Sequence, residues 1–174
     1  AKAELAVLEK LAEELKFTKV SALPVQRCKL MVLKQSGDLP AAIEQAMLLG
    51  KVLTDDIESK AYLFTCVSLP LEVLLDAQHR QGLTKAEQHH MISHLIEKLH
   101  KVQQRYDVAK PAYLVLRAQL ELNLGNPMML AEKLLKQAIK LADKNGQRVE
   151  AKRARTLRQQ YFGADAHQTQ SISG

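Results

Sequence analysis

Apolar residues return every three or four positions through most of this chain, the spacing of helices with one face turned inward. Leu5, Leu8, Leu11 and Leu15 predict a first helix over about 2–16. Ser21 and Pro24 suit the start of a second, which runs to Ser36. Gly37 and Asp38 then form a corner, and Pro40 fits the first turn of a third helix reaching about Lys51. Asp55 and Asp56 open a long fourth segment that Gly82 closes after Gln81. Pro70 is expected to kink or divide that segment, because proline lacks the donor its turn needs.

Thr84 followed by Glu87 reads as a capping box, hydroxyl and carboxylate serving backbone donors at a helix start. The fifth helix behind it carries Met91, Ile92, Leu95, Ile96, Leu99 and Val102. Pro111 lies near the start of a sixth, which ends at Gly125. Asn126-Pro127 begins a seventh that stops at Asn145-Gly146, and residues 147–162 form an eighth. A flexible polar tail is expected over 163–174.

Three corners share a plan: KQSGDLPAAIEQA, RQGLTKAEQHHM and NLGNPMMLAEKL. In each, a helix stops at a glycine, a short turn follows, and the next helix starts with small residues. The glycines, Gly37, Gly82 and Gly125, are 45 and 43 residues apart. A near-constant step between helical hairpins is the mark of a stacked array, since a lone hairpin leaves an apolar face bare.

Two of these corners resemble tetratricopeptide repeats. Gly37 to Glu44 resembles the family's turn and second-helix start, with Ala42 at the small position where paired helices touch. Leu114, Ala118, Gly125, Ala131 and Ala138 resemble it further, the last two as the small pair on the second helix. The step of about 44 exceeds the family's usual ~34, the turn at Gly125 is one residue longer than the usual pattern, and no aromatic fills the large first-helix position. The resemblance implies a right-handed superhelical stack of antiparallel hairpins, a TPR-like α-solenoid of about eight helices. It forms a single domain over 1–162, with hairpins at about 22–53, 56–106 and 110–145 and a capping helix at 147–162. It further implies protein or peptide binding on the concave face formed by the first helices. Candidates there are Gln26 and Arg27, Lys60 and Tyr62, then Tyr113, Arg117 and Glu121, with Arg153 extending the row.

Composition agrees with an all-α reading: Leu, Ala, Lys, Gln and Glu dominate, and no Val/Ile/Thr alternation is sustained. No apolar run approaches the ~20 residues of a membrane span. Cys28 and Cys66 lie in apolar helical patterns without metal-type spacing, which suits reduced core thiols in a cytoplasmic protein. One disulfide between them stays open. The chain opens Ala-Lys-Ala with no leader-like segment, the expectation for a fragment or a processed chain.

Candidate chemistry is sparse. Glu87–His90 and Glu97–His100 each spell Glu-x-x-His, a di-iron pattern in helical bundles, but one helix holds both and roughly 1000° of rotation separates them. His90, His94 and Glu97 share a stripe whose ordinary reading is a solvated face. Activated nucleophiles, phosphate loops and dinucleotide fingerprints are missing from the sequence. No catalytic residue, metal ligand or cofactor is assigned, and the chain is expected not to be an enzyme.

Charge is more telling. Residues 133–158 hold nine basic and two acidic side chains, a net of +7 against +6 for the whole chain. Lys133, Lys136, Lys140 and Lys144 fall opposite Ala131, Leu134, Leu135, Ala138 and Ala142. Arg148, Lys152, Arg153, Arg155 and Arg158 continue the run, while Val149, Ala154, Leu157 and Tyr161 are the expected inner face of the last helix. The sequence therefore predicts a scaffold or adaptor that binds a partner protein or peptide through its concave face or through this basic face. Arg27, Tyr113, Arg117, Lys136, Lys140, Arg153 and Arg155 are the candidate binding residues. An acidic partner is one expectation, nucleic acid a lesser one, and a membrane surface is not expected. The alternative is an effector-sensing or oligomerising domain of a larger regulator such as a transcription activator.

Overall fold

The computed structural model describes residues 6–7, 10, 19–53, 64–81 and 86–163. The helix expected over 2–16 falls almost wholly outside the described residues, as do Asp55, Asp56, Lys60, Tyr62, Gly82, Thr84 and the tail beyond Gly163. Among the described residues there are seven α-helices and no strand, so the protein is all-α. The chain forms two compact units, one through Val102 and one from Gln103 onward.

In the first unit, α1 (Lys19–Ser36), α2 (Leu39–Val52) and α3 (Phe64–Gln81) pack on one another. The α1–α2 corner follows from local chemistry. Asp38 caps α2, its Oδ1 accepting from the Ala41 amide at 3.2 Å, and Pro40 occupies the first turn, where a missing donor costs nothing. Leu23 and Leu30 of α1, Ala42, Ala46 and Leu49 of α2, and Val67, Leu71, Leu74 and Leu75 of α3 are all buried. Lys34 ties α1 to α3 through Glu72 at 2.5 Å and Asp76 at 3.6 Å. The α4 helix (Ala86–Arg105) buries the expected stripe from Met91 to Val102.

Pro24 departs from expectation, sitting inside α1, which already begins by Lys19, while Pro70 does not divide α3, which runs on to Gln81. A missing donor is a local loss, and buried Leu71, Val73, Leu74 and Leu75 hold the helix on the far side of Pro70.

The second unit contains a short 3₁₀ turn (Asp107–Ala109), α5 (Lys110–Asn123), α6 (Met128–Lys144) and α7 (Arg148–Phe162). Its core is built on small residues. Ala118 of α5, Ala131 and Ala138 of α6 and Ala154 of α7 are fully buried beside Leu114, Val115 and Leu135. Tyr113, Leu134, Leu157 and Phe162 close around them. The corners after α5 and α6 are the same motif. Asn126 N–H bonds to Glu121 C=O and Gly125 N–H to Leu122 C=O; Gln147 N–H bonds to Ala142 C=O and Gly146 N–H to Asp143 C=O. Gly125 and Gly146 both take φ of +69°, the left-handed conformation this helix ending requires.

Val149 is a correction. It was expected on the inner face of the last helix, yet it is 76% exposed, and Ala151 joins Ala154 inside instead. Lying in the first turn of α7, it precedes the point where helix phase and packing coincide.

Two outcomes follow from this packing. Ala138→Leu inserts three carbons into a closed helix contact and should cost about 1–3 kcal/mol, whereas exposed Gln137→Leu should stay within about 0.5 kcal/mol; urea midpoints measure both. Burial pushes the Cys66 thiol up from 9.0 to about 11, Arg27 drawing it back and Cys28 adding to the rise. Stability linked to this thiol is whole below pH 9.0 and lost as pH rises through about 11. Cys66→Ala should therefore flatten part of the alkaline fall in the urea midpoint across that window, and unchanged curvature would contradict it.

Candidate partner-binding face

Helix phase decides where the charges of α6 and α7 go. With Ala131, Leu135, Ala138 and Ala142 locked in the core, the positions half a turn away must face solvent. Met129, Lys133, Lys136, Lys140 and Lys144 all do, within an arc of about 80° and along about 22 Å of axis. On α7, Arg148, Lys152 and Arg155 form a second exposed stripe flanking buried Ala151 and Ala154.

These bases divide by what they touch. Arg155 donates to Asp143 Oδ2 at 2.6 Å, bridging α7 to the end of α6. Lys136 pairs with Glu132 at 2.8 Å, and Arg158 reaches the same carboxylate at 3.6 Å. The hydrogen bond from Lys136, reinforced by both positive charges, holds Glu132 below the usual carboxylate range. Lys133, Lys140, Lys144, Arg148 and Lys152 carry no ion pair among the described residues and are exposed. An open cleft of about 290 Å³ lies beside Arg155 and Arg158, floored by Ile139 and Phe162. Both of its guanidinium groups are already engaged, so it offers apolar surface rather than free charge.

Among the remaining candidates, Arg153 and Arg117 are engaged by partners within the fold, and Tyr113 and Arg27 are half-buried. Arg153 donates to Gln119 Oε1 at 2.6 Å, satisfying a buried amide of α5. Arg117 forms an ion pair with Glu121, whose Oε2 also accepts from Asn126 Nδ2 at 2.5 Å. Glu121, expected on the exposed row, is only 2% exposed, because those two partners let its carboxylate go inside. Tyr113 lies half-buried against the second unit's core. In the first unit, Arg27 is half-buried, its Nε shielded from solvent and close enough to draw on the Cys66 thiol. Gln26 accepts from Gln45 at 2.7 Å. Lys136, Lys140 and Arg155 share the α6–α7 face; Tyr113, Arg117 and Arg153 serve packing in the same unit, and Arg27 belongs to the other.

No family model, curated protein or solved structure matches this chain. Among the described residues, no group of three His, Cys, Asp or Glu side chains is placed to hold a metal ion. Glu97, on the histidine stripe of α4, pairs instead with Lys101 at 3.7 Å. No helix among the described residues is long and apolar enough to cross a membrane.

One feature of this surface escaped the sequence reading. Leu124, Met128, Met129 and Leu130 all project at the α5–α6 corner, Met129 being 81% and Leu124 56% exposed. A signal was present: three consecutive apolar residues at a helix start point about 100° apart and cannot all enter one core.

Arginine and lysine therefore differ in their expected effects on stability. Arg153→Ala removes the bond to the buried Gln119 Oε1 and should cost about 1–3 kcal/mol. Lys140→Ala should change stability by less than about 0.5 kcal/mol. Equal urea midpoints for the two variants would overturn the distinction between packing and surface bases.

Proposed function

We propose that this chain is a non-enzymatic protein–protein interaction module, made of tetratricopeptide-like hairpins stacked as a solenoid, that receives its partner on the α6–α7 face. One observation carries the choice of face: five exposed bases there, Lys133, Lys140, Lys144, Arg148 and Lys152, form no ion pair among the described residues. A surface shaped for solubility alone mixes both signs, whereas this one concentrates +7 within 133–158. Such a field attracts and orients an acidic partner before contact. The hairpin reading draws support from Ala118, Ala131 and Ala138, the small residues of the resemblance, which meet in one buried cluster. The repeated glycine corners at Gly125 and Gly146 support it further.

The test is affinity capture with the full chain, comparing wild type with Lys133→Glu plus Lys140→Glu. A matched control reverses exposed Lys51 and Arg80 instead. A protein partner should be lost with the first pair, kept with the second, and insensitive to nuclease. Recovery unchanged by Lys133→Glu and Lys140→Glu, or capture that nuclease abolishes, would overturn the reading.

A further inference from the structure

Met129 of the apolar corner shares one exposed face of α6 with the lysine stripe. Met129 leads the stripe, and Lys133, Lys136, Lys140 and Lys144 follow it at intervals of three or four residues. The corner does not need its apolar side chains in order to form. Helix endings of this type are often sealed by an apolar contact between the residue after the glycine and one in the last turn. Here those positions are Asn126 and Glu121, and a side-chain hydrogen bond of 2.5 Å joins them. Leu124, Met128, Met129 and Leu130 are left in solvent, with no part in the seal.

We propose that this face docks an acidic polypeptide segment bearing an apolar anchor at one end. The anchor covers Leu124 and Met129, and the carboxylates lie along Lys133, Lys140 and Lys144. The proposal rests on the protein-binding reading above and names its ligand. Charge complementarity selects an acidic occupant, since these three ammonium groups are exposed without an internal counter-ion among the described residues. The apolar head selects polypeptide over nucleic acid, whose phosphate backbone has nothing to place against two leucines and two methionines, and whose bases usually stack on aromatic rings. It also selects against a lipid surface. A helix lying in a bilayer interface presents an apolar stripe along its length, whereas this stripe is lysine from Lys133 to Lys144 and apolar only at its head. Methionine suits such a site because its flexible thioether adapts to varied apolar partners.

The experiment uses the full chain and two synthetic acidic peptides of about 16 residues, identical except that one carries Leu-Phe at a terminus. Fluorescence anisotropy reads their binding beside a single-stranded oligonucleotide of similar length and anionic lipid vesicles. The headed peptide should bind about tenfold tighter than the plain one, the effect of burying roughly one large apolar side chain after ordering costs. Leu124→Gln with Met129→Gln, both exposed and so harmless to folding, should erase that difference and leave the plain peptide's affinity unchanged. Lys133→Glu with Lys140→Glu should weaken both peptides. Equal binding of the two peptides, with sensitivity to charge reversal retained, would remove the anchor and leave the basic-face reading standing. Tighter binding of the oligonucleotide or the vesicles, or no binding of either peptide, would overturn both.

Discussion

Close approach of helices at alanine governs the second unit. Ala118, Ala131, Ala138 and Ala154 are fully buried in the one cluster where α5, α6 and α7 pack, and small side chains there suit a close approach of the helices. The larger groups, Leu114, Val115, Leu135 and the half-buried Tyr113, Leu157 and Phe162, fill the margins of that seam. Once the seam fixes the rotation of α6, its lysines have a single place to go. The charged face is thus a consequence of the core, and its geometry is as rigid as the alanine contacts behind it.

The same constraint sorts the cations. Near the seam the second unit uses arginine: Arg153 reaches Gln119, Arg117 reaches Glu121, and Arg155 crosses to Asp143. A planar guanidinium can satisfy an acceptor at a helix junction with fixed geometry. Far from the seam, lysine takes over, and Lys133, Lys140 and Lys144 are left hydrated and free to respond to a partner. Arg148 is the exception, exposed at the start of α7. This division of labour is why Arg153 and Lys140, grouped together by charge alone, have different physical roles.

Much of this was legible along the chain wherever helix phase acts over several turns. The alanine and lysine positions of α6 and the stripe from Met91 to Val102 in α4 required only a period of 3.6. Legibility failed where something other than phase decides. Glu121 follows Leu114 and Ala118 at helical spacing, so phase favours the inside while its charge favours the outside, and the ion pair with Arg117 and the bond from Asn126 tip the balance inward. Val149 and Met129 sit in first turns, where a helix has not yet met its neighbours. Pro70 has the chemistry of a break, and the buried residues beyond it outweigh that chemistry.

The corners at the two ends of α6 show how one backbone solution can serve unlike surfaces. Both use a left-handed glycine and the same pair of carbonyl acceptors, and both are secured by a polar side chain after the glycine. Asn126 bonds to Glu121, and Gln147 donates to the Val108 carbonyl at 2.7 Å. Because the backbone and these amides close each turn, the residues that follow are released from structural duty. After Gly125 they are Pro127, Met128, Met129 and Leu130; after Gly146 they include Arg148 and Lys152. Val149 stands alone among those bases, and single exposed apolar residues are ordinary on protein surfaces. The face of α6 therefore has an apolar end and a basic end, about 22 Å apart. In the proposed docking, a segment that matches both chemistries would lie along it in one direction only, because the two ends of the face differ in chemistry.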